Sequence, residues 1–328
     1  DVNVASIKRP QIVDLMRNVL YRYPKHRAKR YKETPLFELL EMDIEKIDGK
    51  TQSDYFVTWK SFFNWCRICE YSTLNPAEGL SADSANSGKT SDQKKRFTVK
   101  DLDLVFRKIE ELPRLKRFRA DLYTHRYWIP LIALFQGMRL GEISQLFLED
   151  FFVQEGLPCL DIAFNEDKGQ RTKNFNSQRT IPIHSTLLKL GFFDYYFAIK
   201  NSPTRKNEQL FQSLTYTQNG YGRKMQWFND FAHGFIPDKR KTFHSFRHNF
   251  DTCLSNVEPN QFLIQCLDGH ARKGETAQRY SVGEIHRMKE TLEKVRYGFD
   301  IFDCLNVKPL SDEKIAEQIS LLPVREEV

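Results

Sequence analysis

The sequence predicts a mainly α protein carrying a small antiparallel β-sheet, an α+β chain of two domains. Three observations carry that reading. Apolar residues recur at helical spacing over most of the chain, as at Ile12, Leu15, Met16 and Val19. The one sustained break in that period, 151–184, reads as the short strands FFVQ, CLDIAF and RTIPIH. Between 81 and 96 the run SADSANSGKTSDQKKR has small polar residues, no large apolar side chain and a basic end, the composition of a flexible linker. The 328 residues are long enough for two hydrophobic cores.

Residues 1–80 make the first domain. After the amphipathic run at 12–19, YRYPKHRAKRYK (21–32) alternates aromatic rings with cations that include Lys25, Arg27, Lys29 and Arg30. A charge run is commonly a solvated face, but flat rings interleaved with cations suit a surface that tracks phosphates. Residues 36–47 predict a short helix. Thr51 with Asp54 three residues on has the form of a capping box, and Phe56, Trp59, Phe62, Phe63 and Cys66 then line that helix's apolar face. Asn75-Pro76 ends the unit. About three helices precede the linker, whose basic end (Lys94, Lys95, Arg96) offers further phosphate contacts.

The second domain, 97–300, opens with Thr98-Val99-Lys100-Asp101, ahead of Leu102, Val105, Phe106 and Ile109 on one face. Residues 128–135 are strongly apolar and lead into QGMRLGEISQLFLEDF. There Gly137 gives a tight backbone just before Arg139, and Glu142 follows at i+3. The strands come next, and between the last two lies a polar hairpin, NEDKGQRTKNFNSQ, holding Lys168, Arg171 and Lys173. Helical patterning returns at Ser185, and MQWFNDFAHGF is an aromatic helix. The tail, 301–328, with Ile315, Ile319 and Leu322, predicts a short helix. No internal repeat is apparent.

Lysine and arginine number 50 against 43 acidic residues, and the pI is near 9.0. That excess permits nucleic acid as a partner without proving it. With no apolar run of about 18 residues and no signal-peptide pattern, no membrane is predicted and the expected location is cytoplasmic. Six cysteines are too few for a disulfide scaffold. Cys66 and Cys69 form a CxxC but lack the second pair that a zinc site needs, so all six read as reduced thiols. Position 1 is Asp1, not Met, and the segment is expected to lie inside a longer protein.

The densest chemistry lies in 241–280, KTFHSFRHNFDTCLSNVEPNQFLIQCLDGHARKGETAQRY. His244 and Arg247 are three residues apart, so a helix puts them on one face, while Phe243, Phe246 and Phe250 anchor that helix in the core. Gly269-His270 and Tyr280 follow. A lone Tyr most often packs with its hydroxyl bonded or wet. His244 with His248 has the i, i+4 spacing of a zinc pair, but the zinc-protease pattern has Glu after the first His, where this chain has Ser245, and no third ligand is well spaced. No metal is predicted. Arg247 is harder to dismiss, because a buried guanidinium needs anionic partners. Two imidazoles, a guanidinium and a phenol so close together look like a site that holds a phosphate and attacks it.

GMRLGE, a lysine in a β-hairpin followed by RTIPIH, then HSFRH, Gly-His and Tyr together resemble the tyrosine recombinases, the phage-integrase family. FFNWC and NPAEGL resemble the end of that family's helical core-binding domain, and FTVKDL the start of its catalytic domain. Each motif alone is weak; the ordered set is specific. The resemblance implies a helical core-type DNA-binding domain plus a tyrosine-recombinase-like catalytic domain. It implies Arg139 and Arg247 as the phosphate-binding arginines, His244 and His270 as the site histidines, and Glu142 as a supporting acid. Tyr280 matches the nucleophile that forms a 3′-phosphotyrosine bond. Lys173 matches the hairpin lysine that protonates the leaving 5′-oxygen; Lys168 competes, but Thr172-Lys173 followed by Arg179 is the closer fit. His248 reads as a structural neighbour. Asp268 departs from the family's usual apolar residue before Gly-His and places a carboxylate beside His270. Tyr297, the rival phenol, lies too far beyond the helix that follows His270.

Phosphoryl transfer needs charge stabilisation more than covalent chemistry, and two guanidinium forks supply it at any working pH. A covalent phosphotyrosine conserves the phosphodiester energy, so neither ATP nor metal nor any other cofactor is expected. The resemblance implies a site-specific recombinase serving integration or excision of a mobile element. Its partners would be double-stranded DNA clamped between the domains, a homotetramer on paired sites and an accessory DNA-bending protein. It further implies a nucleoid-associated protein of bacterial or phage origin, with a C-terminal tail that docks on a neighbouring protomer. Two other readings stand beside it: relaxation of supercoils in the manner of a type IB topoisomerase, and a DNA-binding remnant that no longer cuts.

Overall fold

The apolar stripes bury themselves in two separate cores. The computed structural model describes residues 3–81, 95–112, 124–170, 177–214, 216, 217, 221, 227–269 and 283–325. The chain divides into two compact units, Asp1–Gln93 and Lys94–Val328.

The described residues of the first unit hold four α-helical stretches: α1 (Arg9–Asn18), α2 (Arg27–Arg30, a single turn), α3 (Leu36–Glu41) and α4 (Gly49–Ile68). Ile12 and Met16 of α1 meet Phe56 and Phe63 of α4 around Leu20 and Ala77. Helix α3 stops earlier than the predicted 36–47, because the chain after it extends and pairs with 23–25. Lys25 N–H donates to the Glu45 carbonyl (2.8 Å) and Ile47 N–H to that of Tyr23 (2.9 Å). The predicted Thr51–Asp54 capping box does not open α4. Asp48 does, its carboxylate accepting from Thr51 N–H at 2.8 Å, so Thr51 lies inside the first turn. Phe62 is likewise not on the buried face; it is 50% exposed, since neighbours on a helix point about 100° apart and Phe63 takes the inward position. Tyr55, Phe62 and Trp65 leave exposed aromatic rings on α4, with Tyr71 exposed just past its end. Cys66 is buried and Cys69 exposed, and all six cysteines are free thiols.

The second unit opens with the capping box that Thr98 and Asp101 predict: Asp101 accepts from Thr98 N–H (2.6 Å) and Thr98 Oγ1 from Asp101 N–H (3.2 Å). Helix α5 (Val99–Glu111) buries Leu102, Val105, Phe106 and Ile109. Next come α6 (Thr124–Gln136), α7 (Leu140–Ser144) and a three-stranded antiparallel meander of β1 (Phe151–Gln154), β2 (Leu157–Ile162) and β3 (Arg179–Pro182). Phe151 faces Leu160, and Leu160 faces Ile181. Strand β2 starts two residues ahead of the predicted run. The β1–β2 link is a two-residue turn with Glu155 and Gly156 both at positive φ (49° and 75°), a hairpin geometry that glycine favours.

Helices α8 (Ser185–Lys189), α9 (Phe192–Lys200), α10 (Trp227–His233), α11 (His244–Val257), α12 (Gln261–Asp268) and α13 (Glu284–Glu293) surround the sheet and α6. Phe246 and Phe250 of α11 are wholly buried. The tail forms two helices rather than one, α14 (Ile301–Cys304) and α15 (Asp312–Ser320). Ile315 and Leu322 enter the main core. The following residues run along β1: Val153 N–H donates to Pro323 O (2.8 Å) and Arg325 N–H to Val153 O (2.9 Å). The Arg325 guanidinium lies 3.5 Å over the Phe152 ring and bonds Asp161 at 2.6 Å. Among the described residues no helix is long and apolar enough to cross a membrane.

Candidate active site

Helix α6 ends at Gln136, and the chain reverses at Gly137, whose φ is +63°. A Cβ there would sit 2.1 Å from the Phe250 ring, so both backbone and space require glycine. This turn aims the Gly137 carbonyl at Arg247 and delivers Arg139 as the residue before α7. Arg139 and Glu142 close on one another: the carboxylate accepts from Arg139 N–H (2.9 Å) and from its guanidinium (2.7 Å). The Glu142 side chain is 3% exposed and also receives Nη2 of Arg179 from β3 at 3.2 Å. Burial is the largest single influence on this carboxyl and acts upward. The guanidiniums of Arg179 and Arg139, with the Arg139 N–H, outweigh it and hold Glu142 below the usual carboxylate range.

Arg247, on the first turn of α11, has a side chain 3% exposed, against 22% for Arg139. It donates through Nη1 to Gly137 O (2.6 Å) and through Nη2 to Asp268 O, with Asp251 at 3.7 Å from Nε. Burial first, then, against the pull of Asp251, the nearby Arg139 and Arg179, push its pKa below the ordinary arginine value, and a guanidinium remains charged regardless. Arg139 reaches the same turn, Nη2 donating to Gly269 O at 3.3 Å. Gly269 closes α12 at φ +68°, and a Cβ there would lie 2.2 Å from the Arg179 guanidinium. Asp268, whose carbonyl serves Arg247, is itself buried.

The predicted shared face of His244 and Arg247 is observed. Both line a cleft of about 200 Å³ with Met138, Leu140, Asn229, Thr242 and Phe243. His244 is exposed at the rim, and His248 meets it edge-on with ring centroids 4.6 Å apart. Arg139, Glu142, His244 and Arg247 are therefore brought together by the fold, although up to 108 positions separate them in sequence. Lys173, His270 and Tyr280 lie outside the described residues. No cluster of three His, Cys, Asp or Glu that could hold a metal ion occurs among the described residues.

The competing side chains are engaged elsewhere. Tyr297 donates its hydroxyl to Leu134 O at 2.5 Å, and burial holds its pKa well above the ordinary value. The Lys168 ammonium pairs with Glu149 and sits 5.5 Å above the Phe147 ring. Of the basic residues read as phosphate contacts, Lys25 pairs with Glu45, Arg27 is half-buried, and Lys29 and Arg30 are exposed on α2. Lys95 and Arg96 are exposed in the second unit, Lys95 within 3.8 Å of Asp238; Lys94 lies outside the described residues.

The bracing role of Arg179, which entered the sequence reading only as a marker for the hairpin lysine, and two polar residues, Gln170 and Asp150, are not read from the sequence. Arg179 opens an alternating apolar strand at an inward position, and a cation there is the available signal. Gln170 donates to Asp150 (3.0 Å) and to Gln145 O (3.2 Å). Asp150 also accepts from Phe147 N–H at 2.7 Å. Burial, then the charges of Asp161 and Glu149, push its pKa up to about 7 against those hydrogen bonds.

The sequence model of the phage integrase family matches residues 106–284, more than half of the chain. A sequence search of curated proteins finds no significant match. Among solved structures the chain is similar to the XerH site-specific recombinase bound to a palindromic difH substrate, at 17% identity and TM-score 0.51, covering 82% of this chain and 67% of that one. It is also similar to the integrase of the Tn1549 transposon in complex with transposon right end DNA, at 18% identity and TM-score 0.50, covering 93% and 85%. At these identities the likeness is one of fold: helix-rich, with the small antiparallel sheet described above. With the family's sequence model spanning the Arg139, Arg247 and Gly269 segments, the chain belongs to the phage integrase family, the tyrosine recombinases.

Proposed function

We propose that this protein is a site-specific DNA recombinase that cuts and rejoins strands through a 3′-phosphotyrosine intermediate, serving integration or excision of a mobile element. The observation that carries the reading is the convergence of Arg139 and Arg247 on one turn, with Glu142 buried behind Arg139 and His244 on the same cleft as Arg247. Such a group is a preorganised set of donors for a phosphodiester. The two forks bind the non-bridging oxygens, and His244 adds a third donor at the rim.

Tyr280 Oη attacks phosphorus and forms the P–O(Tyr) bond as the P–O5′ bond breaks. Its proton leaves toward His270, and the Lys173 ammonium protonates the departing 5′-oxygen. Attack by a 5′-hydroxyl on the phosphotyrosine reverses every step and needs no external energy source. Engagement of Tyr297 and Lys168 elsewhere favours Tyr280 and Lys173 in these roles. XerH and the Tn1549 integrase, both solved with DNA, support duplex DNA as the partner. Assembly as a homotetramer on paired sites, with an accessory DNA-bending protein, follows from the same reading. A tail that docks in trans would first have to release its pairing with Val153.

The test is a nicked suicide duplex drawn from DNA flanking the gene, incubated with protein in EDTA and run on a denaturing gel. An adduct that forms without metal and is absent with Tyr280→Phe is the expected result. Binding without adduct on every duplex tried would identify a remnant that no longer cuts. Relaxation of plasmids lacking any cognate site, with no recombinant product, would identify a topoisomerase-like activity instead.

A further inference from the structure

Helix α11 carries two pairs of polar side chains. His244 and Arg247 line the cleft. Ser245 and Asn249, four residues apart, share another face, turned about 100° from His244 because each residue advances the helix by that angle. This second face is tied to the segment that opens the unit. The Asn249 amide makes both of its bonds to the main chain of Phe97, 152 positions away: Oδ1 accepts from Phe97 N–H (2.9 Å) and Nδ2 donates to Phe97 O (2.8 Å). Ser245 Oγ donates to Lys95 O (2.5 Å) and accepts from the N–H of Thr242 (2.9 Å), a residue of the cleft wall. Lys95 N–H in turn donates to Arg240 O at 3.2 Å.

Phe97 is buried, its ring 5.0 Å from that of Phe246 on the same helix. Packing alone would keep the segment in place. The amide adds register, because it engages the donor and the acceptor of one chosen residue. Arg96, directly before Phe97, is exposed, as is Lys95, which stands within 3.8 Å of Asp238. Consecutive phosphates of one strand rise only about 3.4 Å along the duplex, so a strand with one phosphate in the cleft carries others past its wall. A phosphate held by Arg96 would load the very residue that Asn249 grips.

We propose that Asn249 is a positioning residue: it transmits the grip of Arg96 on a backbone phosphate to α11, so that seating the duplex sets His244 and Arg247 on the phosphate to be cut. This role rests on the strand-cleaving reading above. It spends binding energy from a phosphate that does not react on the orientation of the one that does. A misplacement of about 1 Å at a reacting group can cost about 100-fold in rate. Because Phe246 and Phe250 also hold the helix, loss of the amide should cost less than that. Asn249 itself would touch no DNA, so its removal should leave affinity alone.

The experiment is a double-mutant cycle in the full chain, reading single-turnover adduct formation at saturating protein, with DNA affinity over a salt series and thermal midpoint alongside. Arg96→Ala should weaken binding, shallow the slope of log K against log salt by roughly 1, and slow cleavage about 10-fold. Asn249→Ala should slow cleavage about 10-fold with affinity within about 2-fold of wild type. The double variant should be no slower than about 10-fold, because both changes cut one link. Independent effects would multiply to about 100-fold, as they would if Asn249 only stabilised the fold, and that result overturns the proposal. So does either single variant that cleaves at the wild-type rate. Should Asn249→Ala fail to fold, Asn249→Thr keeps a hydroxyl on that face and enters the same cycle. Tyr280→Phe is the control. If wild type forms no adduct that this variant loses, the recombinase reading falls and the role of Asn249 with it; if the adduct forms and the effects multiply, the role alone falls.

Discussion

Arg247 shows how a single side chain can be committed before any ligand arrives. Two of its donors hold main-chain carbonyls of Gly137 and Asp268, and its charge sits almost out of water. A lysine in its place keeps the charge but loses the fork, so Arg247→Lys should slow single-turnover adduct formation by about 100-fold or more, the usual effect of removing one preorganised donor. Arg247, His244, Arg139 and Glu142 are all legible in the sequence because i, i+3 spacing declares itself locally. The bonding role of Arg179 is not, because its partners Glu142, Ser177 and Leu267 are distant along the chain or come from loop backbone, and only the folded strand brings them to one guanidinium.

At the scale of elements, two turns allow a comparison. Gly137 and Gly156 both have positive φ, but a Cβ at Gly137 meets the Phe250 ring while one at Gly156 meets nothing within 4 Å. Gly156→Ala should cost about 1 kcal/mol for the backbone alone, and Gly137→Ala roughly 3 kcal/mol or more once overpacking is added; denaturant midpoints of the two variants would rank them. Asp150, which accepts from Gln170, makes a pH prediction. The folded pKa of Asp150, about 7, lies above its ordinary 3.8, so burial of this group leaves stability untouched below about pH 4 and lowers it as pH rises toward 7. Asp150→Asn keeps an acceptor for Phe147 and Gln170. Each tenfold weakening of proton release on folding is worth about 1.4 kcal/mol, so this variant should be more stable than wild type by a few kcal/mol at pH 8. At pH 4 the two should be nearly equal. An unfolding series that shows no pH-dependent gap would refute the raised pKa. The Thr98 capping box is readable because box and first turn coincide. The Thr51 pattern misleads because Asp48, just upstream, supplies a better-placed acceptor for the same N–H.

At the scale of the whole molecule, exposed cations lie in both units: Lys29 and Arg30 in the first, Lys95 and Arg96 in the second. If they lie on phosphates, affinity for any duplex falls steeply with salt, and Lys29→Ala with Arg30→Ala should shallow the slope of log K against log salt by roughly 2. Fluorescence anisotropy over a salt series reads this directly; an unchanged slope would place the two residues away from DNA. The two-core organisation is legible from composition, whereas the pairing of the tail with β1 is not, since a short edge contact leaves no periodic signal. Most acceptors that hold Arg139, Arg179 and Arg247 are backbone carbonyls, at Gly137, Ser177, Leu267, Asp268 and Gly269. A carbonyl survives any substitution that leaves the backbone in place. In this arginine framework the side chains that a substitution can remove are therefore the three arginines, Glu142 and the two glycines, whereas Ser177 and Leu267 serve it through their backbones and answer only to the packing of their own buried side chains.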